Sequence, residues 1–435
     1  MIVHKIFLKE SMPCSLLCYS KKKTNEKKAD RKSFEKRKIP KKISENLFLA
    51  GCGCNIIYQY LNNVSMFQIS WPQYTVEVLI AVVLAGLVMR LCTTEEYRVK
   101  RLLLYAVCIG ICYIEWKMNG SPDVLYFCIF VIGMQDICAD KVIRAYGSLN
   151  VTLLGITVVA ALSGKIENLI YHRDGQIRIA FGTGYPTIFA SQILFLYLCY
   201  IYCRRKNLRK PDYFLGLAAA AFVYGFCKAR MSAGCLILFV VGLGVIRLYQ
   251  NRRKKGKTLE KVVRSAGTLS IYAPVICALL VLNSCIFYQS GSSVWSKVDQ
   301  LFSNRLSLGQ EGLRLYGITA WGTNFPQYGN GGTTEAAQNY FYIDSAYLSY
   351  LLRYGFFVLL LVTGILMLLN FRAYEKKEYV LLWILMIIAV HGIVEDRMLA
   401  IVTNPFLWLV FSRTGTKKEE EMQRSEENRN ELEER

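Results

Sequence analysis

Tyr342-Ile343-Asp344-Ser345-Ala346-Tyr347-Leu348-Ser349-Tyr350-Leu351-Leu352-Arg353-Tyr354-Gly355 is where the longest polar insert of this chain turns into an apolar run that continues to Leu369. The insert itself, Gln289 to Tyr342, follows another apolar run, Ala266 to Tyr288. A polar segment of 54 residues held between two such runs reads as a loop outside a hydrophobic bundle. Its arginines, Arg305 and Arg314, and the boundary carboxylate Asp344 are the first candidates for chemistry.

Working outward, the same kind of apolar run recurs along most of the chain. A helix crosses a hydrocarbon layer of about 30 Å with about 20 residues. Runs suited to this lie near Glu45 to Asn62, Tyr74 to Met89, Leu102 to Trp116, Val124 to Cys138, Ser148 to Leu162, Thr183 to Cys203, Tyr213 to Cys227, Ser232 to Ile246, Ala266 to Tyr288, Ile343 to Leu369, Val380 to Val394 and Ala400 to Ser412. The expectation is an all-α integral membrane protein of about 12 transmembrane helices, with one long extracytoplasmic loop between helices 9 and 10. The first run is interrupted by Asn55, Gln59 and Asn62, and Met66 is an alternative start. Three regions follow: a basic, disordered tail over 1–44, a polytopic domain over 45–413 that contains the 289–342 loop, and a charged tail over 414–435.

The charge pattern orients this bundle. The formal net charge is +21, yet 14 of the Lys and Arg residues crowd Met1 to Lys42 and most of the rest fall in short connections. That distribution argues for a membrane with anionic lipid as neighbour rather than nucleic acid. With the N-terminus inside, the inner loops hold 22 Lys or Arg in 59 residues and the outer loops 10 in 101. Positive charge stays on the cytoplasmic side of short loops. Both termini are therefore expected in the cytoplasm of a multi-pass cell-membrane protein, with the long loop outside.

Basic residues on the outer face then call for an explanation, because they run against that rule. Arg173 and Arg178 flank a glycine-bearing turn that runs through Gly182, Gly184 and Pro186 into a helix, a setting suited to a phosphate or to headgroup pairing. Lys228 and Arg230 occupy a very short outer turn, Lys228-Ala229-Arg230-Met231-Ser232, where an anion or a lipid headgroup would balance them. Arg305 and Arg314 sit among Trp295, Tyr316, Trp321, Tyr328, Tyr340 and Tyr342. Guanidiniums bind phosphate in pairs of charge-assisted bonds, and flat aromatic faces suit sugar rings or a membrane interface. Arg353 is expected one or two turns inside the span after the loop. Asp344 reads equally as a general base or as the N-cap of that span. His391 and Glu395 lie four apart on one helical face, either as a buried pair or with Glu395 as a second carboxylate of the site.

The 15 cysteines mostly lie within apolar runs, including Cys108, Cys112, Cys128, Cys199, Cys227 and Cys277, and read as small core hydrophobes. Cys52 and Cys54 lack the further ligands of a zinc site. There is no zinc signature, Walker loop or dinucleotide fingerprint, and the 3 histidines are scattered, so no metal or cofactor is expected. Lysine and arginine must neutralise any diphosphate handled here.

The run Asn304-Arg305-Leu306-Ser307, a glycine-containing loop, and then Ile343-Asp344-Ser345-Ala346-Tyr347-Leu348 through Leu352-Arg353-Tyr354-Gly355 resembles Wzy-type polysaccharide polymerases of the O-antigen ligase/polymerase superfamily. Arg178 to Pro186, Lys228 to Ser232, and Glu395 with Asn404-Pro405-Phe406 are similar to other segments of that family. The resemblance spans about Tyr74 to Ser412, and it departs at Trp321-Gly322-Thr323-Asn324-Phe325 and at Ala346. It implies a metal-independent, inverting membrane glycosyltransferase that joins undecaprenyl-diphosphate-linked oligosaccharide repeats on the outer face of the membrane. Arg305, Arg178 and Arg230 would stabilise the leaving diphosphate while Asp344 orients or deprotonates the acceptor. Arg173, Lys228, Arg314, Arg353 and Glu395 would line the same substrate site, and a chain-length regulator and a flippase would be partners. Ligase-like transfer to another acceptor, or transport of lipid-linked glycan, is the alternative.

Overall fold

A computed structural model describes residues 41–93, 99–173, 175–252, 257–334 and 339–413. The two expected tails lie outside the described residues, apart from 41–44, which already belong to the first helix. In chain order the main helices are α1 (Lys41–Asn63), α2 (Thr75–Thr93), α3 (Val99–Asn119), α4 (Asp123–Gly133), α5 (Ala139–Leu162), α6 (Pro186–Arg204), α7 (Lys210–Phe222), α8 (Arg230–Arg252) and α9 (Lys257–Ile286). The polar insert forms α10 (Ser293–Leu301) and α11 (Arg305–Tyr316), and after it come α12 (Ala346–Ser349), α13 (Phe356–Glu375) and α14 (Tyr379–His391). A hairpin of β1 (Ile170–Arg173) and β2 (Gln176–Ile179), paired antiparallel with Tyr171 opposite Arg178, is the one sheet among the described residues.

Among the described residues 7 helices are long and apolar enough to cross a membrane, namely most of α2, α3, α5, α6, α8, α9 and α13. Many of their side chains point away from the bundle, including Val78, Val82, Leu103, Val107, Ile114, Val151, Val159 and Leu280. Aliphatic surface on that scale suits hydrocarbon rather than water. The molecule is a helical membrane-embedded protein. Burial separates its centre from its rim, since 72% of the α6 window is enclosed against 22% for α3. Helices approach closely where a glycine admits an aromatic ring: Trp383 of α14 lies over Gly242 of α8, and its Nε1 donates to the Phe239 carbonyl at 3.0 Å.

The fold corrects several sequence expectations. The run Ile343 to Leu369 is not one helix. It turns through α12 and a π-helical turn (Tyr350–Tyr354), stops at Gly355 with φ of 90°, and only then becomes α13. Arg353 therefore precedes the spanning helix instead of lying inside it. An added methyl at Gly355 would strike the Ala320 carbonyl, and one at Gly322, with φ of 78°, would strike that of Arg353. The insert packs its backbone into this break, with Thr323 N–H donating to Leu352 O at 2.9 Å and Phe356 N–H to Thr319 O at 2.9 Å. Ala400 to Ser412 is likewise no regular span, its only helix being a 3-10 segment, Phe406–Phe411. That segment is buried, with Trp408 and Phe406 enclosed, and Gln192 of α6 donates to its Val402 carbonyl at 3.0 Å. Irregular backbone at such depth is tolerable when protein groups satisfy it.

The two ends of the bundle differ in chemistry. At one end the cations are paired: Arg205 with Asp140 at 2.5 Å, Arg204 with Asp212 at 3.0 Å, and Arg90, almost fully buried, with Glu45 at 3.7 Å and with the Gly133 carbonyl at 2.8 Å. The hairpin, the turn after α7, the start of α8, the insert and the end of α14 gather at the other.

Candidate functional site

Three local structures bring basic groups to this second end. The first is the hairpin. Arg178, only 7% exposed, donates from Nε to the Cys227 carbonyl at 3.0 Å and from Nη1 to the Tyr185 hydroxyl at 3.4 Å. Tyr185 is held in turn by the Tyr171 ring, 4.8 Å away and edge-on. The second is the turn between α7 and α8. A π-helical turn (Val223–Cys227) ends in Lys228, whose φ of 51° is left-handed, so the chain reverses within two residues and presents Lys228 and Arg230 side by side in sequence. Arg178 thus ties the hairpin to this turn.

The third is the α10–α11 corner. Ser303 and Asn304 are both left-handed, with φ of 61° and 63°, which reverses the chain just before Arg305 opens α11. Asparagine tolerates that conformation better than most side chains. Buried Asp299 fixes the corner from below, its Oδ1 accepting from Leu306 N–H at 2.8 Å and from Ser307 N–H at 3.4 Å. A carboxylate on the free N–H groups of a helix start is favourable by charge and by hydrogen bonding.

Arg305 then projects between two carboxylates. Its Nε donates to Asp344 Oδ2 at 2.9 Å and its Nη2 lies 3.5 Å from Glu395 Oε1. The helix start after Asp344 belongs to Ser345 and carries no side-chain cap, so the cap reading of Asp344 gives way to an ion pair. Glu395 is buried, and burial pushes its carboxyl up to about 7, with Arg305 opposing and Asp344 adding to the rise. The Thr187 hydroxyl bonds the same carboxyl. Burial works against the Arg305 cation, but Asp344 and Glu395 outweigh it and hold the guanidinium above its ordinary range. Next door, burial raises Asp396 to about 6, although it accepts a hydrogen bond from Ser349 Oγ at 2.8 Å.

Seven of the expected site residues, Arg173, Arg178, Lys228, Arg230, Arg305, Asp344 and Glu395, line one cavity of about 850 Å³. Tyr171, Tyr185 and Tyr340 supply aromatic wall, and Leu301, Phe302 and Met231 supply apolar wall. A chamber with this lining has room, positive charge and apolar wall suited to a large anion that carries a flat and a greasy part. Two expected residues fall elsewhere. Arg314 is exposed on the far side of α11 and pairs with Glu311 at 2.6 Å, the i,i+3 neighbour on its own helix. Arg353 sets its guanidinium 5.7 Å from the Tyr354 ring and is not a wall of the cavity, because the break at Gly355 turns its segment toward α4, where Tyr354 bonds Asp123 at 3.2 Å.

Sequence reading does not reach Asp299, Thr187 or the partner of Ser232. Asp299 stands six residues before the start of α11 at Arg305, with Asn304 between, a spacing that no simple cap pattern covers. Ser232 was visible within the Lys228 to Ser232 turn, but its partner is remote: Ser232 Oγ lies 3.2 Å from His391 Nε2. The His391 side chain thus pairs with α8, and Glu395 shares no helical face with it because α14 ends at His391. The cysteines are free among the described residues, and Cys199, Cys227 and Cys277 are buried as core. No protein-family model, curated protein or solved structure matches this chain.

Proposed function

We propose that this protein is a membrane glycosyltransferase that polymerises lipid-diphosphate-linked oligosaccharide repeats into a surface polysaccharide, at the outer face of the cytoplasmic membrane. The observation that carries the reading is the single chamber in which Arg178, Lys228 and Arg230 face an Arg305 flanked by Asp344 and Glu395. On this reading the bundle makes twelve passes with both termini inside, and the cavity end is the outer one. The excess of basic residues in the loops of the opposite end supports that orientation.

In the reaction, the diphosphate of a donor chain sits on Arg178, Lys228 and Arg230, and its first sugar reaches Arg305. An acceptor hydroxyl attacks the anomeric carbon, the bond from that carbon to the diphosphate oxygen breaks, and the hydroxyl proton passes to Asp344. Positive charge already in place for the departing diphosphate lowers the barrier without reorganisation. Arg305 orients Asp344 through a hydrogen bond of 2.9 Å, as a base requires. The aromatic wall of Tyr171, Tyr185 and Tyr340 accepts sugar faces, and Leu301 and Phe302 accept the start of the lipid.

Reconstitution tests this directly. The purified chain in lipid, given a synthetic polyprenyl-diphosphate oligosaccharide, should yield a ladder of products on a gel. An Arg305→Ala variant of normal abundance should yield none. Product ladders of equal length from both proteins would remove Arg305 from the site, and no turnover by the native chain with several repeat chemistries would remove the assignment. Transport without bond formation would show instead as movement of unmodified substrate between leaflets.

A further inference from the structure

We propose that Ser232 is a phosphate-binding hydroxyl of this cavity and that His391 is the residue that aims it. The inference rests on the lipid-diphosphate reading above and adds an uncharged donor beside the basic residues. Ser232 and His391 are each only 1% exposed, yet Ser232 forms part of the cavity wall next to Arg230. Its Oγ lies 3.2 Å from His391 Nε2, and the edge of the Phe195 ring packs on the imidazole with centroids 5.7 Å apart. The last turn of α14 therefore sets this histidine under the start of α8. The same residue anchors the carboxylate side of the site, because the His391 carbonyl accepts the Glu395 N–H at 3.0 Å.

A hydroxyl has one proton to give. If Ser232 spent it on the imidazole, only oxygen lone pairs would face a cavity lined by Arg173, Arg178, Lys228 and Arg230, and an anion bound there would meet repulsion. If Nε2–H donates to Ser232 Oγ, the serine proton is left for the cavity and the hydroxyl becomes a stronger donor through the chain of bonds. Which ring nitrogen carries the proton follows from what the ring and its partner meet. An anionic occupant selects the second arrangement. His391 then acts through Ser232 as a positioning residue and touches no substrate itself.

The test is a binding experiment on the full chain in lipid nanodiscs, titrated with a short polyprenyl diphosphate and, separately, with inorganic pyrophosphate. Loss of one hydrogen bond to a charged oxygen weakens binding by about tenfold or more. Ser232→Ala should lose about that factor for the prenyl diphosphate and the same factor for pyrophosphate, because the contact is to phosphate and not to the lipid. His391→Phe keeps a flat ring but no donor and should lose nearly as much. The double variant should be no weaker than Ser232→Ala alone, and His391→Gln, whose amide can donate from near the Nε2 position, should recover most of the binding. Independent, additive losses in the double variant would assign His391 a packing role and overturn the proposal, as would native affinity in Ser232→Ala. Arg230→Ala separates the two levels of inference: if it loses binding while Ser232→Ala does not, only the serine–histidine device fails. If native chain and Arg230→Ala bind neither ligand, the diphosphate reading itself falls. Thermal unfolding of each variant, expected within a few degrees of the native chain, guards against a folding loss.

Discussion

Arg305 is the residue on which the most interactions converge, and its setting makes its removal costly in a specific way. It is bonded to Asp344 and lies against Glu395, so its loss leaves two carboxylates facing each other. Arg305→Lys keeps the charge but cannot bond both carboxylates through a planar fork. Polymer formation should fall by at least a hundredfold in Arg305→Ala and remain strongly reduced in Arg305→Lys, measured as product ladders at equal protein abundance. Glu395 gives a pH signature. Its carboxyl titrates at about 7 in the folded protein instead of the ordinary 4.5, so the folded chain binds the proton more tightly than the unfolded chain does. Folding stability must then fall as pH rises through the interval between those two values, and it levels off above the higher one. Asp396, raised to about 6, adds to the slope below that pH, so Glu395→Gln should reduce the slope chiefly between pH 6 and pH 7 in melting temperatures, and an unchanged slope there would place the titration elsewhere.

Among the elements, the α10–α11 corner and the break at Gly355 decide where the site side chains go. Asp299 holds the start of α11 through two backbone N–H groups. Asp299→Ala should cost about 1 to 2 kcal/mol, the range of a lost helix cap, and should also reduce polymer formation by loosening Arg305. Melting curves and product ladders together report both effects. Gly355→Ala is the harsher change, because φ is 90° there and the new methyl meets the Ala320 carbonyl. It should cost several kcal/mol, combining backbone strain with the displacement of a packed loop. A variant that melted within a degree of the native protein would mean that the insert does not seat in this break.

Considered whole, the molecule separates a structural end, where cations are paired with carboxylates, from a cavity end, where Arg178, Lys228 and Arg230 line a chamber beside the ion-paired Arg305. Arg205 and Asp140 illustrate the first, at 2.5 Å and mostly buried. Removing one partner of such a pair strands the other and costs about 3 to 5 kcal/mol. Arg205→Ala should therefore lower the melting temperature while leaving diphosphate affinity within twofold, the opposite of the pattern expected for Arg230→Ala. The proposed sidedness has its own check. In a cysteine-free background, a cysteine placed at Ser292 should react with an impermeant maleimide on intact cells, whereas one at Lys206 should react only after lysis.

The sequence alone determined the bundle, since runs of apolar residues of spanning length have no other stable setting, and it picked out Arg173, Arg178, Lys228, Arg230, Arg305, Asp344 and Glu395, which one cavity unites. Those residues were legible because a charge beside an apolar run is locally anomalous. Nothing local could show that Arg314 turns to its own helix neighbour, that Arg353 leaves the site at the Gly355 break, or that Ala400 to Ser412 is irregular yet buried. The bonds from Asp299 to α11 and between Ser232 and His391 were equally hidden, the latter joining positions 159 residues apart. Tertiary structure decided these because hydrophobicity is a property of each residue, whereas a hydrogen bond or an ion pair exists only once two distant groups have been brought within about 3 Å in the right direction.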